Sequence, residues 1–239
     1  MPPGTQGHYF MARIGGRDAV ALSSIPPGGP AQAAWNTYIR VDSADETAQR
    51  VSDAGGTVLS EPFDVFDSGR MGVFADLQGA VFSVWQAGRH RGSVAVNEHG
   101  AVNFNDLYTD DLVSAAAFYG AVFGWSTLDM GDGSPYWCLP GYGDHLEELS
   151  PGVRQGMREM GVDERFLDVV ARTLPYAAGP ARWGVTFGVN DADAIAARTV
   201  ELGGTVVSAP QDAPWVRHTL LADPAGALFT ASQFVPENR

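Results

Sequence analysis

The stretch WGVTFGVNDADAIAARTVELGG, residues 183–204, indicates the fold because it has a second copy, WNTYIRVDSADETAQRVSDAGG, at residues 35–56. Each copy reads as a strand followed by a helix that begins in an Asp- and Ala-rich segment and ends at a pair of glycines. Downstream, TVLSEP matches TVVSAP, and GRMGVFADLQGAVFSVWQ matches VRHTLLADPAGALFTASQ. The shared order is strand, helix, strand, strand, strand, so the sequence predicts a repeated βαβββ module.

Two further regions depart from this repeat. A third unit begins at Ala101 with the strand VNFNDLYT and the helix DDLVSAAAFYGAVFGW, but residues 147–180 look helical where the other units complete their sheet. This helical insertion rests on apolar residues at helical spacing: Phe166, Val169, Val170 and Leu174. The N-terminal GHYFMARIGGRDAVALSS reads as two strands of a further module without its opening strand and helix. We favour truncation of this first module over a second chain that supplies the missing strand.

Composition excludes several classes of protein. The chain has 239 residues, 45% of them hydrophobic and 18% charged, which is enough to bury a sizeable core. A net charge of −13 argues against nucleic-acid binding, because phosphate contacts need clustered cations. One cysteine excludes intramolecular disulfides and cysteine-based zinc sites, and suits a cytoplasmic location. We find neither an apolar run of about 18 residues nor a secretion signal, so no membrane partner is expected.

The repeated pieces, together with AFYGAVFGW and LADPAGALFTASQF, resemble the vicinal oxygen chelate superfamily of glyoxalases, bleomycin resistance proteins and extradiol dioxygenases. Four-module actinobacterial glyoxalase-like or hydroxylase proteins are especially similar. The resemblance implies an α+β fold in which modules pair edge to edge and their curved sheets close into bowls that hold substrate. It divides the chain into an N-terminal bowl (1–90, with a complete module at 35–88), a linker (91–100) and a C-terminal bowl (101–239, with modules at 101–180 and 181–235).

The same resemblance provides a test for a metal. Metal-dependent members carry His or Glu on the opening strand, seven residues before the Asp that starts the helix, and Glu on the last strand, four residues after its turn glycine. These positions here are Trp35, Asn103, Trp183, Ser83 and Thr230, none of which is a usual metal ligand. The histidines are scattered and form no ligand pair. We therefore predict neither a metal nor another cofactor.

Strand alternation predicts a bowl lined by aromatic and uncharged polar groups, which suits a flat aromatic or polycyclic ligand. Trp35 and Trp183 fit a hydrophobic core equally well. Arg70 and Arg217 could bind an acidic or carbonyl-bearing ligand, or could pair with a nearby aspartate at the surface. The predicted substrate-binding residues are Trp35, Arg70, Trp85, Asn103, Asn105, Trp137, Trp183, Trp215, Arg217, Thr230 and Ser232.

Three groups are candidates for proton transfer: Asp106 on the third opening strand, His145 and His218. The pattern does not distinguish an enzyme from a binding protein. The function that it favours is a metal-independent binding protein or auxiliary tailoring or resistance enzyme for an aromatic or polycyclic molecule. The alternatives are a metal-dependent glyoxalase, isomerase or dioxygenase, and a structural module without a ligand. A homodimer that completes the first module is a further expectation.

Overall fold

Three complete βαβββ modules follow an N-terminal hairpin. The computed structural model describes residues 7–25, 27–29, 32–129, 131, 135–149, 151–176 and 179–238. The hairpin consists of β1 (Tyr9–Ile14) and β2 (Arg17–Ser23), which form a two-stranded sheet of their own. The next module consists of β3 (Tyr38–Val41), α1 (Ala44–Asp53), β4 (Thr57–Val65), β5 (Gly69–Ala75) and β6 (Val81–Ala87), with the strand order β3-β6-β5-β4.

The other two modules share one eight-stranded sheet. The third module consists of β7 (Val102–Thr109), α2 (Leu112–Phe123), β8 (Ser126–Leu128), β9 (Tyr136–Cys138), α3 (Tyr142–Leu149), α4 (Val153–Glu159), a 3₁₀ helix (Glu164–Asp168) and β10 (Val169–Pro175). The fourth consists of β11 (Arg182–Val189), α5 (Ala192–Glu201), β12 (Thr205–Ala213), β13 (Val216–Ala222) and β14 (Leu228–Phe234). The strand order is β12-β13-β14-β11-β7-β10-β9-β8, in which the two opening strands, β7 and β11, pair antiparallel.

The helical insertion is shorter than expected. Helical structure extends from Tyr142 to Asp168, with breaks, and β10 then completes the third module by pairing parallel with β7. The prediction that Val169, Val170 and Leu174 belong to a helical stripe is therefore wrong. A short apolar run does not distinguish a helix from a buried strand by its spacing, and β-branched valines favour the strand. Residues 150, 177 and 178 of the predicted insertion lie outside the described residues.

The module helices begin and end at the residues that the repeat supplies. Ser43, Asp111 and Asp191 are the N-caps of α1, α2 and α5, and the side chain of each accepts a hydrogen bond from a backbone N–H in the first turn. Gly55 and Gly203 follow α1 and α5 with φ of 83° and 85°, a left-handed conformation that glycine adopts without steric cost. These local signals mark where each helix begins and ends.

The main hydrophobic core lies between the two larger sheets, where α1 and α2 pack together. It joins Phe74 and Phe82 of the second module to Phe118 and Tyr119 of α2, and reaches Trp183 of β11. A second, smaller core lies beneath α5. Within the described part of the chain, no helix is long and apolar enough to cross a membrane.

Candidate functional site

The eight-stranded sheet has one face that α2 and α5 do not cover, here called the open face. Leu107, Trp183 and Leu221 point toward the helices and are buried in the two cores. Alternation therefore turns the neighbouring residues Asp106, Arg182 and Leu220 to the other side. Cross-strand partners share a face, so the register also brings these residues to it: Phe104, Tyr108, Tyr136, Arg172, Thr186, His218, Thr230 and Ser232.

A buried carboxylate lies at the junction of the third and fourth modules. Asp106 is 1% exposed and accepts a hydrogen bond from Arg172 Nε at 2.8 Å and another from Thr186 Oγ1 at 2.8 Å. Burial lowers the pKa of Arg172, but attraction and hydrogen bonding to Asp106 outweigh it, so the pKa lies above its ordinary value. Arg172 uses one nitrogen for this pair, and its side chain remains 31% exposed.

Aromatic rings cover the part of the open face that belongs to the third module. The Phe104 ring lies 6.4 Å from Tyr136 and 6.5 Å from Phe166, and Phe166 in turn lies 5.3 Å from Tyr136. Arg172 lies over Phe104, with its guanidinium carbon 6.0 Å from the ring centre. Phe166 belongs to the 3₁₀ helix, so the helical insertion contributes a side chain to this surface.

A second arginine on the open face, Arg182, stacks on tyrosine rings. The guanidinium carbon of Arg182 lies 4.0 Å from the centre of the Tyr108 ring and 5.5 Å from that of Tyr176. Burial first, and then the charge of Asp106, raise the pKa of Tyr108, whose side chain also shares a hydrogen bond with Thr230. Gly184 provides the room for this stack, because a Cβ there would lie 2.8 Å from the Tyr108 ring.

The fourth module contributes a more polar surface. His218 and Ser232 are cross-strand partners, and Thr230 lies opposite both Leu220 and Thr186. Burial lowers the pKa of His218, the charge of Arg172 lowers it further, and Asp106 opposes both effects. The imidazole is therefore neutral at neutral pH and can accept or donate a hydrogen bond.

Comparison with known proteins identifies the family. The glyoxalase-like domain matches residues 102–232, and the glyoxalase/bleomycin resistance protein/dioxygenase domain matches residues 1–84. The chain belongs to the glyoxalase/bleomycin resistance protein/dioxygenase superfamily. CFP32 of Mycobacterium tuberculosis, a glyoxylase by name, is 36% identical over 244 residues, which cover 98% of this chain and 84% of CFP32. The anthracycline biosynthesis protein DnrV of Streptomyces peucetius is 37% identical over 83% of this chain and 65% of DnrV.

Among solved structures, the Mn(II)-bound glyoxalase from Novosphingobium aromaticivorans superposes with a TM-score of 0.52 at 16% sequence identity. The match covers 82% of this chain and 61% of that protein. At this identity the likeness concerns the fold, and the predicted α+β module architecture is confirmed.

The positions at which metal-dependent members of this superfamily carry their ligands hold no usual metal ligand here. The helices α2 and α5 begin at the N-caps Asp111 and Asp191. Seven residues before these lie Phe104 and Gly184, one residue later than the positions Asn103 and Trp183 predicted from the sequence. Neither side chain binds metals, nor does that of Thr230 on the last strand. The described residues contain no cluster of three His, Cys, Asp or Glu side chains arranged to hold an ion.

The same one-residue shift makes the predicted orientation of several opening-strand residues wrong. Trp183 points toward α2 and donates from Nε1 to the Tyr119 hydroxyl at 2.8 Å. Asn105 points the same way and accepts a hydrogen bond from Thr37 at 2.9 Å, while Asn103 is exposed and donates to Asn97. Trp35 packs edge-on against Phe187 and Phe229. A shift of one residue moves every side chain of a strand to the opposite face.

The remaining predicted residues lie in three different places. Arg70 forms ion pairs with Asp45 and Asp64. Arg217 forms the equivalent pairs with Asp193 and Asp212. Both arginines therefore pair with nearby aspartates, the second of the two roles considered for them from the sequence. Trp137 is fully buried against Tyr119, and Trp215 stacks on Phe234 at the β12–β13 turn. Trp85 lies on the second module and donates to the His90 carbonyl, and His145 is exposed on α3.

The open face thus brings together Asp106, His218, Thr230 and Ser232 from the predicted set. Sequence reasoning missed five of the side chains that complete it: Phe104, Tyr108, Arg172, Arg182 and Tyr176. Phe104 and Tyr108 lie two residues before and after Asp106 on the same strand, so they share its face. A correct assignment of the face of Asp106 would therefore have predicted both. Arg172 was missed because its strand was read as a helix.

Proposed function

We propose that the open face binds a planar aromatic or polycyclic small molecule without a metal ion. The observation that carries this proposal is the surface formed by Phe104, Tyr136 and Phe166 beside the Asp106–Arg172 pair. Aromatic side chains offer large apolar contact area to a flat ligand, and a few fixed polar groups orient it. Phe104, Gly184 and Thr230, at the ligand positions of the superfamily, are not usual metal ligands, which supports binding without a metal ion.

The biological role that fits is a binding protein or auxiliary enzyme of tailoring or resistance. The similarity to DnrV, a protein of anthracycline biosynthesis, supports a place in natural-product metabolism. Asp106 and His218 are the groups on the open face able to move a proton, and the fully paired state of Asp106 favours His218. A cytoplasmic location suits the buried thiol of Cys138.

Isothermal titration calorimetry with a panel of fused-ring aromatic compounds tests the proposal. We expect Phe104→Ala to weaken binding roughly tenfold or more, since stacking and apolar contact are lost. Phe10→Ala, at an exposed position on the hairpin, is the matched control and should bind as the wild type does. Treatment with EDTA should leave binding unchanged. Failure of every compound to bind, or equal binding by both variants, would reject an aromatic site here, and a loss on chelation would reject metal independence.

We also propose a homodimer formed through the second module. Among the described residues, β3 is an edge strand of its sheet, whereas the corresponding strands β7 and β11 pair with each other. An antiparallel β3–β3 contact between two copies would cover this edge in the same way. Light scattering after size-exclusion chromatography should give twice the mass of the chain, and the mass of a single chain would contradict the proposal.

A further inference from the structure

Arg182 is a second cation on the open face, opposite Tyr108 in the β7–β11 pair. Among the described residues, Arg172 pairs with Asp106, but Arg182 has neither an ion pair nor a hydrogen-bond acceptor. Arg40 and Arg91 also form no ion pair among the described residues, but both are exposed, whereas Arg182 is partly buried. The two arginines and Asp106 leave the junction of the third and fourth modules with a net positive charge inside a strongly acidic protein.

The aromatic stack determines which part of Arg182 is available. Tyr108 covers a face of the guanidinium at 4.0 Å, and Tyr176, whose ring is inclined at 77° to that of Tyr108, lies 5.5 Å away. A guanidinium that stacks on a ring keeps its N–H donors free at the edge, in the geometry that suits a carboxylate or another anionic oxygen. The side chain is partly buried, so only part of it remains accessible to a ligand.

The backbone is arranged to keep this stack in place. Arg182 and Tyr108 are cross-strand partners at the β7–β11 junction. Gly184 follows on the same face, where a Cβ would come within 2.8 Å of the Tyr108 ring and 3.2 Å of an Arg182 nitrogen. The guanidinium is therefore oriented before any ligand arrives, which reduces the entropic cost of binding.

We propose that Arg182 binds an anionic oxygen on the aromatic ligand, so that the open face selects ring compounds carrying an ionised carboxyl or phenol group. The aromatic rings of the third module contact the ligand's ring system, and Arg182 binds its charged substituent from the module junction. This inference rests on the proposed function, because it assigns a chemical class to the ligand of the same surface.

A matched pair of probes tests the inference: 9-anthracenecarboxylate and its neutral amide, titrated by calorimetry. We expect the wild type to prefer the carboxylate, and Arg182→Gln to weaken carboxylate binding by roughly tenfold to one hundredfold with little effect on the amide. Arg182→Lys should retain part of the preference, because it keeps the positive charge. Arg91→Gln, which removes an exposed arginine of the linker, should behave as the wild type.

The outcomes separate the two proposals. Equal binding of the two probes by the wild type, or a preference that survives in Arg182→Gln, overturns the role of Arg182 and leaves the aromatic site standing. If Arg182→Gln weakens binding of the carboxylate and the amide equally, the side chain supports the fold rather than the ligand, and the inference fails. If neither probe binds the wild type, the proposed function itself fails.

Discussion

Asp106 is a carboxylate almost completely removed from water, and its stability depends on two donors. Replacing it with Asn keeps its shape and an acceptor for Thr186, but removes the charge that Arg172 faces at 2.8 Å. We expect Asp106→Asn to lower the free energy of unfolding by about 1–3 kcal/mol, measured by urea denaturation. Asp110→Asn, an exposed neighbour, should change it by less than about 0.5 kcal/mol. Equal stability of the two variants would show that the Asp106–Arg172 pair contributes nothing net.

His218 gives the fold a defined dependence on pH. Its pKa in the folded protein lies below the ordinary value of 6.5, because burial and Arg172 disfavour the imidazolium. The unfolded chain therefore binds a proton at a higher pH than the folded chain, and the free energy of unfolding falls as the pH is lowered through 6.5. We expect His218→Gln to show a smaller loss of stability than the wild type between about pH 7 and pH 5.

His145, exposed on α3, provides the comparison for that measurement. Urea denaturation at a series of pH values should give His145→Gln the same slope as the wild type. A His218→Gln protein whose slope matches both would contradict the assignment of the pH dependence to His218.

At single residues the sequence predicted the scaffold better than the site. The residues that are identical in two modules hold each module together: Arg70 and Arg217 pair with aspartates, and Gln86 and Gln233 accept hydrogen bonds from the first N–H groups of α1 and α5. The open-face residues differ between modules, so the repeat could not reveal them. To predict them, one must know which residues of each strand face the same side of the sheet. An error of one residue reverses that assignment.

At the scale of elements, close approach between α2 and the second module depends on Gly56. A Cβ at this position would lie 2.7 Å from the Phe118 ring and 2.9 Å from the Ala75 carbonyl oxygen. We expect Gly56→Ala to lower the free energy of unfolding by about 1–3 kcal/mol, since the core must shift to admit the methyl group. Thermal and urea denaturation measure this effect.

Gly156 is the matched control, because it lies within α4 with open space where a Cβ would be. Gly156→Ala should raise stability by about 0.5–1 kcal/mol through a lower entropy of the unfolded chain. A destabilised Gly156→Ala protein would contradict the open space at Gly156. A Gly56→Ala protein as stable as the wild type would contradict the close packing at Gly56.

Elements with strong local signals were predicted well. The helices α1, α2 and α5 have side-chain N-caps and C-terminal glycines, and the alternating strands of the repeat appear in the expected order. The region from Tyr142 to Pro175 was harder, because its two short helices, its 3₁₀ helix and its strand are each at most 8 residues long, too short to show a clear period. Pairing with β7, a contact distant in sequence, decides that Val169–Pro175 is a strand.

At the scale of the whole molecule, one hydroxyl group connects three modules. Tyr119 on α2 donates to Asp76 at the β5–β6 turn at 3.0 Å and accepts from Trp183 on β11 at 2.8 Å. We expect Tyr119→Phe to lower the free energy of unfolding by about 1–3 kcal/mol, because it leaves a buried acceptor and a buried donor unsatisfied. Unfolding should remain a single transition, since the shared hydrophobic core persists.

Tyr142→Phe, on the partly exposed start of α3, removes a hydroxyl outside this core and should leave stability within about 0.5 kcal/mol of the wild type. Urea denaturation followed by both circular dichroism and tryptophan fluorescence measures the two variants. A Tyr119→Phe protein that unfolds at the wild-type midpoint would show that the three-module hydrogen-bond chain is not needed for stability.

The unlike halves of the open face have a consequence for regiochemistry. Rings from Phe104, Tyr136 and Phe166 cover the half that belongs to the third module, whereas His218, Thr230 and Ser232 occupy the other. A ligand with one apolar end and one end that carries oxygen atoms therefore has a single favourable orientation across the paired strands β7 and β11. Any reaction at His218 would then modify the same ring position in every turnover, so one regioisomer is the expected product.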